Sequence, residues 1–379
     1  MKTILPGFAL AIAIASLAMP ASAQTVVRIG HVAALTGASA HLGKDNENAA
    51  RMAIDELNAR KLRIAGQEIR FELLSEDDAG DPQQAVAAAR KLVHARVVGV
   101  IGHLNSGTTI SASRIYHDAG IPQISPSATH PKYTRQGFDT AFRVVATDLR
   151  LGGTLGRYAV RELKADSIAV IDDGSAYGES VADEFQAAAK AAGANIVGRE
   201  STTVEATDFE AILAFLEGTK PELVFFGGMD TMAGPMLRRF AQRDIPVRFM
   251  GGDGICTPRL ATLAGEAIVD DQVVCAEAGG VTREHAGAID DWKQRYRDRF
   301  KTEVQIYAPY AYDATMTMVA AMQVADSTVP GGYLPELAKI VYDGITGPIA
   351  FDESGDIRNG ALTFYTYRSG EREKMMVVK

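Results

Sequence analysis

Val97-Val98-Gly99-Val100-Ile101-Gly102-His103-Leu104-Asn105-Ser106-Gly107-Thr108-Thr109 joins a short apolar run to a tract of small polar residues, and that order decides the fold. A β-branched run of this length with no polar alternation reads as a strand covered on both faces, as in a parallel sheet. The polar tract then sits where strand passes into helix, the place where open α/β sheets present free backbone N–H groups to ligands. Before it, Asp81 and Pro82 mark the start of a helix over 82–94, with Asp81 as cap and Pro82 at a position that needs no N–H. After it, a helix over 109–119 ends at Gly120, where a left-handed residue is wanted.

Working outward, strands over 26–32, 69–75, 97–102 and 122–125 alternate with helices over 46–59, 82–94 and 109–119. Beyond Val145 the alternation restarts, with strands over 167–172, 195–199, 223–226 and 247–250 and helices over 179–191 and 209–216. The fold class is α/β, two doubly wound parallel-sheet units in series. Past Ala276 the pattern changes to helices over 286–300 and 311–325, and 361–367 with 375–378 read as a hairpin around Arg368-Ser369-Gly370-Glu371. No Pro-rich or Ser/Gly-rich linker separates the units, so a short hinge is expected.

Lys2, an apolar stretch from Leu5 to Met19 and Ala21-Ser22-Ala23 have the order of a cleavable secretory signal over 1–23. The stretch is shorter than a spanning helix needs and is interrupted by Pro6 and Gly7. Its removal takes one Lys from a chain of net charge −8, so the exported protein is acidic, which argues against nucleic acid as a partner. In an oxidising compartment the two cysteines, Cys256 and Cys275, read as a disulfide, with two buried thiols as the alternative.

Enzymatic signatures are missing from the sequence: no G-x-S-x-G, no phosphate loop, no H-E-x-x-H and no complete G-x-G-x-x-G. The seven histidines show no metal-ligand spacing, and no cofactor is implied. Paired carboxylates such as Asp77-Asp78 and Asp172-Asp173 fit turn-forming roles at strand ends.

Small polar loops recur at the strand ends. Ser125-Pro126-Ser127-Ala128-Thr129 follows one strand of the first unit, while Asp172 to Gly178, Gly227-Gly228-Met229-Asp230 and Gly251-Gly252-Asp253-Gly254 follow strands of the second. Taken singly, each hydroxyl also fits a helix cap, Tyr177 fits core packing and Asp253 a turn.

Read together and in order, Gly30 to Gly43 (GHVAALTGASAHLG), Asp77 to Ala85 (DDAGDPQQA), Val100 to Ser106, Ile124 to Thr129, Ala176-Tyr177-Gly178-Glu179 and Phe249 to Gly254 resemble the leucine/isoleucine/valine-binding protein family of ABC importers, which has the type I periplasmic-binding-protein fold. The resemblance implies two lobes joined by three crossovers, over 24–145 plus 277–352 and 146–276 plus 353–379, closing around a free amino acid. It implies that Ser106 and Thr129 meet the ligand carboxylate, that the Ser127 carbonyl meets the ammonium, that Tyr177 stacks, and that Asp253 replaces a glutamate as ammonium partner. Leu42 and Met229 stand where the family has aromatic residues and face the ligand side chain; Asp230 has no assigned role. The implied protein is a periplasmic monomer that hands a branched-chain or other apolar amino acid to a membrane permease, without turnover. A sensory module feeding a chemoreceptor and a binder of aromatic acids are the alternatives, and the retained Asp253 argues against the second.

Overall fold

A computed structural model describes residues 24–281 and 283–379, so the segment read as a signal lies outside the described residues. The chain opens with β1 (Thr25–Ala33), α1 (Ala40–Ala59), β2 (Arg63–Ile64), β3 (Gln67–Asp77), α2 (Pro82–His94), β4 (Gly99–Gly102), α3 (Ser106–Asp118), β5 (Gln123–Ser125) and β6 (Ala141–Arg143). These strands form one sheet in the order β2-β3-β1-β4-β5-β6, parallel throughout except for the β2–β3 pair. Asp81 caps α2 as read, its carboxylate accepting from the N–H groups of Gln83 and Gln84.

A second sheet follows, with α4 (Asp148–Arg161), β7 (Ser167–Asp172), α5 (Ala176–Ala191), β8 (Asn195–Ser201), α6 (Glu210–Thr219), β9 (Leu223–Gly227), α7 (Asp230–Gln242), β10 (Arg248–Gly251), α8 (Arg259–Ala264) and β11 (Val273–Glu277). The chain then returns to the first layer through α9 (Ala286–Phe300), α10 (Ala308–Val324), α11 (Pro330–Leu337) and the small pair β12 (Val341–Gly344) and β13 (Gly347–Ala350). It ends in β14 (Leu362–Arg368) and β15 (Glu371–Val378), which add antiparallel to β11 and complete the order β15-β14-β11-β10-β9-β7-β8.

The chain therefore crosses between the sheets three times, at residues 144–146, 278–280 and 352–360. The crossings are bonded side by side: the Ala146 N–H donates to the Ala278 carbonyl at 2.8 Å, and the Arg143 N–H to the Gly355 carbonyl at 3.0 Å. Short adjacent strands of backbone allow two lobes to rotate as bodies.

Four helices, α4, α7, α8 and α11, escaped the sequence pattern, and for two of them the physical reason is plain. α4 carries Gly152 where a Cβ would stand 2.6 Å from the Val181 carbonyl oxygen, so the close approach of α4 to α5 requires a residue that lowers helix propensity. α7 contains Pro235, which ordinarily signals a helix end. α1 and α10 also begin earlier than read, at Ala40 and Ala308, and those extra turns bring His41, Leu42 and Tyr307 to the cleft.

Candidate ligand-binding cleft

The first wall grows from the ends of β4 and β5. His103 is buried and its Nδ1 meets Asp78 Oδ2 at 2.7 Å, while its Nε2 meets the Tyr116 hydroxyl at 3.1 Å. Its carbonyl accepts from Ser125 Oγ at 3.0 Å, and the next carbonyl, of Leu104, accepts from Ser127 Oγ at 2.7 Å. The two polar loops are thus tied into one surface. Ser106 begins α3, and its Oγ accepts from the His130 N–H at 3.3 Å. Beneath them lies Arg143, wholly buried, donating to the carbonyls of Ala128 at 2.7 Å and His130 at 3.0 Å and to Asp356 at 2.5 Å. Thr129, between those two carbonyls, is fully buried, and its hydroxyl flanks the Asp148 carboxyl, which burial pushes up to about 7.

The second wall is built on the turn after β10. Asp253 is 1% exposed; its Oδ1 accepts from the Tyr177 hydroxyl at 2.7 Å, and its Oδ2 from the Tyr307 hydroxyl at 2.8 Å. Burial raises this carboxyl to about 6, and the two tyrosyl O–H groups offset part of the rise by favouring the charged form. The Gly254 N–H donates in turn to the Tyr177 oxygen at 2.9 Å. A Cβ at Gly252 would stand 2.6 Å from that oxygen, so glycine lets the turn close on the ring. Three residues past Asp253, Cys256 is bridged to Cys275 in β11 with Cα atoms 5.3 Å apart, the bridge read from export.

Between the walls lies a cavity of about 20 Å³ lined by Leu104, Asn105, Ser106, Ser127, Tyr177, Met229 and Tyr307. Of the residues singled out in the sequence, Ser106, Ser127, Tyr177 and Met229 line it, whereas Thr129, Asp253 and Leu42 stand one layer behind. Leu42 is fully buried with Leu104, Ile306 and Tyr307, against which Met229 packs. Larger hollows of about 460 Å³ along the crossings and about 560 Å³ beside residues 216–247 contain none of these residues; convergent polar groups, not volume, mark the site.

Sequence reasoning missed Tyr307, because α10 was read as starting at Ala311. Pro309, in its first turn, was the available signal. It also left Asp230 without a role. The carboxylate of Asp230 is fully buried, accepts from Thr257 Oγ1 at 2.6 Å, and meets His41 Nε2 of the first lobe at 3.1 Å.

A two-lobed α/β trap with this cleft is the architecture of a solute-binding protein. The chain belongs to the periplasmic binding protein family, whose family pattern matches residues 26–372. It is 33% identical over 374 residues to Leu/Ile/Val-binding protein homolog 1 of Brucella abortus, with 97% of each chain covered. It is 30% identical over 357 residues to the leucine-, isoleucine-, valine-, threonine-, and alanine-binding protein of Pseudomonas aeruginosa, with 94% of each covered. Among solved structures, the branched-chain amino acid transporter substrate-binding protein LivJ of Streptococcus pneumoniae in complex with isoleucine superposes with a TM-score of 0.84 at 26% identity, covering 94% of this chain and all of that one. Family membership makes the chain a binding protein and not an enzyme. Among the described residues no helix is long and apolar enough to cross a membrane.

Proposed function

We propose that the protein captures a free amino acid of branched-chain or other apolar type in the periplasm and delivers it to the permease of an ABC importer. The observation that carries this reading is the division of polarity across the cleft. Ser106 of one lobe lines the cavity with Thr129 behind it, both neutral donors, while in the other lobe the buried carboxylate of Asp253 stands behind Tyr177, whose hydroxyl it accepts from. A zwitterion has the matching ends. The side-chain subsite is formed by Leu42, Leu104, Met229 and the Tyr307 ring, and its apolar character supports an aliphatic ligand. In this reading the Ser127 carbonyl adds an acceptor for the ammonium and Tyr177 covers the Cα. The lobes are residues 24–145 plus 277–352 and 146–276 plus 353–379, the protein acts as a monomer, and the first 23 residues are removed on export.

The names of the relatives and the isoleucine complex support the amino-acid class. Mass spectrometry of the small molecule that co-purifies with the protein, followed by calorimetric titration with the twenty amino acids, tests it. Nanomolar-to-micromolar binding of leucine, isoleucine, valine or alanine is expected; binding of an aromatic acid without an amine, and of no amino acid, overturns it.

A further inference from the structure

The contact between His41 and Asp230 lies outside the cavity and joins the two lobes. His41 is the second residue of α1, which packs on the first sheet, and Asp230 is the first residue of α7, which follows β9 in the second. The pair is not the sole polar contact between the lobes, since the Tyr307 hydroxyl of the first also donates to Asp253 of the second, but it is an ion pair set beside the cavity residue Met229. Neither residue is among those that line the cavity. The arrangement is unusually enclosed: the Asp230 side chain is 0% exposed and that of His41 is 13% exposed. Within its own lobe Asp230 has one side-chain partner, the Thr257 hydroxyl; Oδ1 has none.

A carboxylate excluded from water with a single hydroxyl donor is poorly compensated, and His41 supplies what its own lobe does not. Opening the cleft separates the pair and returns the carboxylate to solvent. The contact therefore exists only in the closed form and contributes only to that form. Its position next to Met229 matters too, because closure that seats Asp230 on His41 also sets Met229 against the apolar subsite.

We propose that His41 and Asp230 form a latch across the cleft mouth that sets the lifetime of the closed form, and with it the rate at which captured solute is released. The proposal rests on the trap reading above. A latch made after closure slows release and leaves capture unchanged, since the encounter takes place in the open form.

The test pairs a ligand-free measurement with a kinetic one. Spin labels at Lys61 and Asp244, exposed positions in the two lobes, report the opening distance of the ligand-free protein. The parent is expected to show a closed population that His41→Ala shifts to the longer distance. In stopped-flow measurements with L-leucine, His41→Ala is expected to release about three- to tenfold faster with the association rate unchanged. His41→Gln, which keeps a donor of similar reach, is expected within about twofold of the parent in both measurements. In an Asp230→Asn background, His41→Ala is expected to add little, as a coupled pair requires. Unchanged distances and release in His41→Ala, or an equal effect of His41→Ala with and without Asp230, overturns the latch. Failure of L-leucine to bind at all counts against the amino-acid reading instead, and the ligand-free distances still decide the latch.

Discussion

The wall that carries Ser106 and Thr129 is braced by a buried guanidinium, whereas the wall that carries Asp253 is braced by a covalent bridge. In the first, Arg143 gathers the carbonyls of Ala128 and His130 and the Asp356 carboxylate of the third crossing, so the loop is fixed from below by charge and hydrogen bonds. In the second, the turn holding Asp253 has its own charge buried, and its fixing within the lobe comes from the Cys256–Cys275 bond and the Tyr177 hydroxyl, while the Tyr307 hydroxyl reaches it from the first lobe. The difference follows from what each wall offers. A wall of neutral donors tolerates a cation beneath it, whose charge is met by Asp356. A wall built around a carboxylate would lose its charge to such a cation, so it is stiffened by means that leave the carboxylate free to meet an ammonium.

The sharpest way to break this comparison is to remove the charge of the second wall. Asp253→Asn keeps size and one acceptor oxygen, and loss of one partner of a buried charge pair costs about 3 to 5 kcal/mol, roughly a hundredfold to a few thousandfold in Kd. Calorimetry with the co-purified amino acid reads it, with exposed Asp244→Asn as control. Binding by Asp253→Asn within about fivefold of the parent would end the ammonium role.

Removing the brace of the first wall acts on stability as well as binding. Arg143→Met leaves the buried Ala128 carbonyl without its side-chain donor and Asp356 without its charged partner, with the Thr134 hydroxyl alone remaining on Oδ1, and a loss of about 3 to 5 kcal/mol is expected in denaturant unfolding. A variant as stable as the parent would show that the guanidinium is dispensable. For the second wall, replacing both Cys256 and Cys275 by Ala removes a constraint that closes a 19-residue separation, which the chain-entropy account values at about 3 kcal/mol. Two reactive thiols in the unfolded, unreduced parent would contradict the bridge itself.

The sequence made the periodicity of the sheets and the ends of their strands legible, because β-branched runs and caps such as Asp81 act locally. It exposed Ser106, Ser127, Tyr177 and Met229 for the same reason: each sits at a strand-to-helix junction whose chemistry is local. Tyr307 and the His41–Asp230 contact were not legible. Their roles depend on which residues distant in sequence meet when two lobes close, and nothing in the neighbourhood of Tyr307 or His41 encodes a partner 54 residues back or 189 residues ahead. The arginine brace was hidden likewise, since Phe142-Arg143-Val144 reads as an edge of apolar strand and its acceptor Asp356 lies 213 residues on.

The smallest effect expected is also the one that tests the second wall without changing a residue. Burial in the closed cleft lifts Asp253 to about 6, above the ordinary aspartate value. An ammonium placed beside it favours the ionised form, so its pKa in the complex is lower than in the free protein. The sign follows directly. Well above pH 6 the carboxylate is already ionised and affinity is flat; as pH falls through 6, binding must first expel a proton, and affinity declines by up to about tenfold per unit, or about 1.4 kcal/mol. Asp148, raised to about 7 by its own burial, lies beside Thr129 and titrates nearby, so the profile is measured in parallel on Asp148→Asn. Calorimetry at pH 5.5 in two buffers of different ionisation enthalpy is expected to show net proton release on binding in both proteins. If release survives in Asp148→Asn but vanishes in Asp253→Asn, the buried acid of the second wall is the group the ligand's ammonium meets; if proton release is unchanged in Asp253→Asn, that acid is elsewhere.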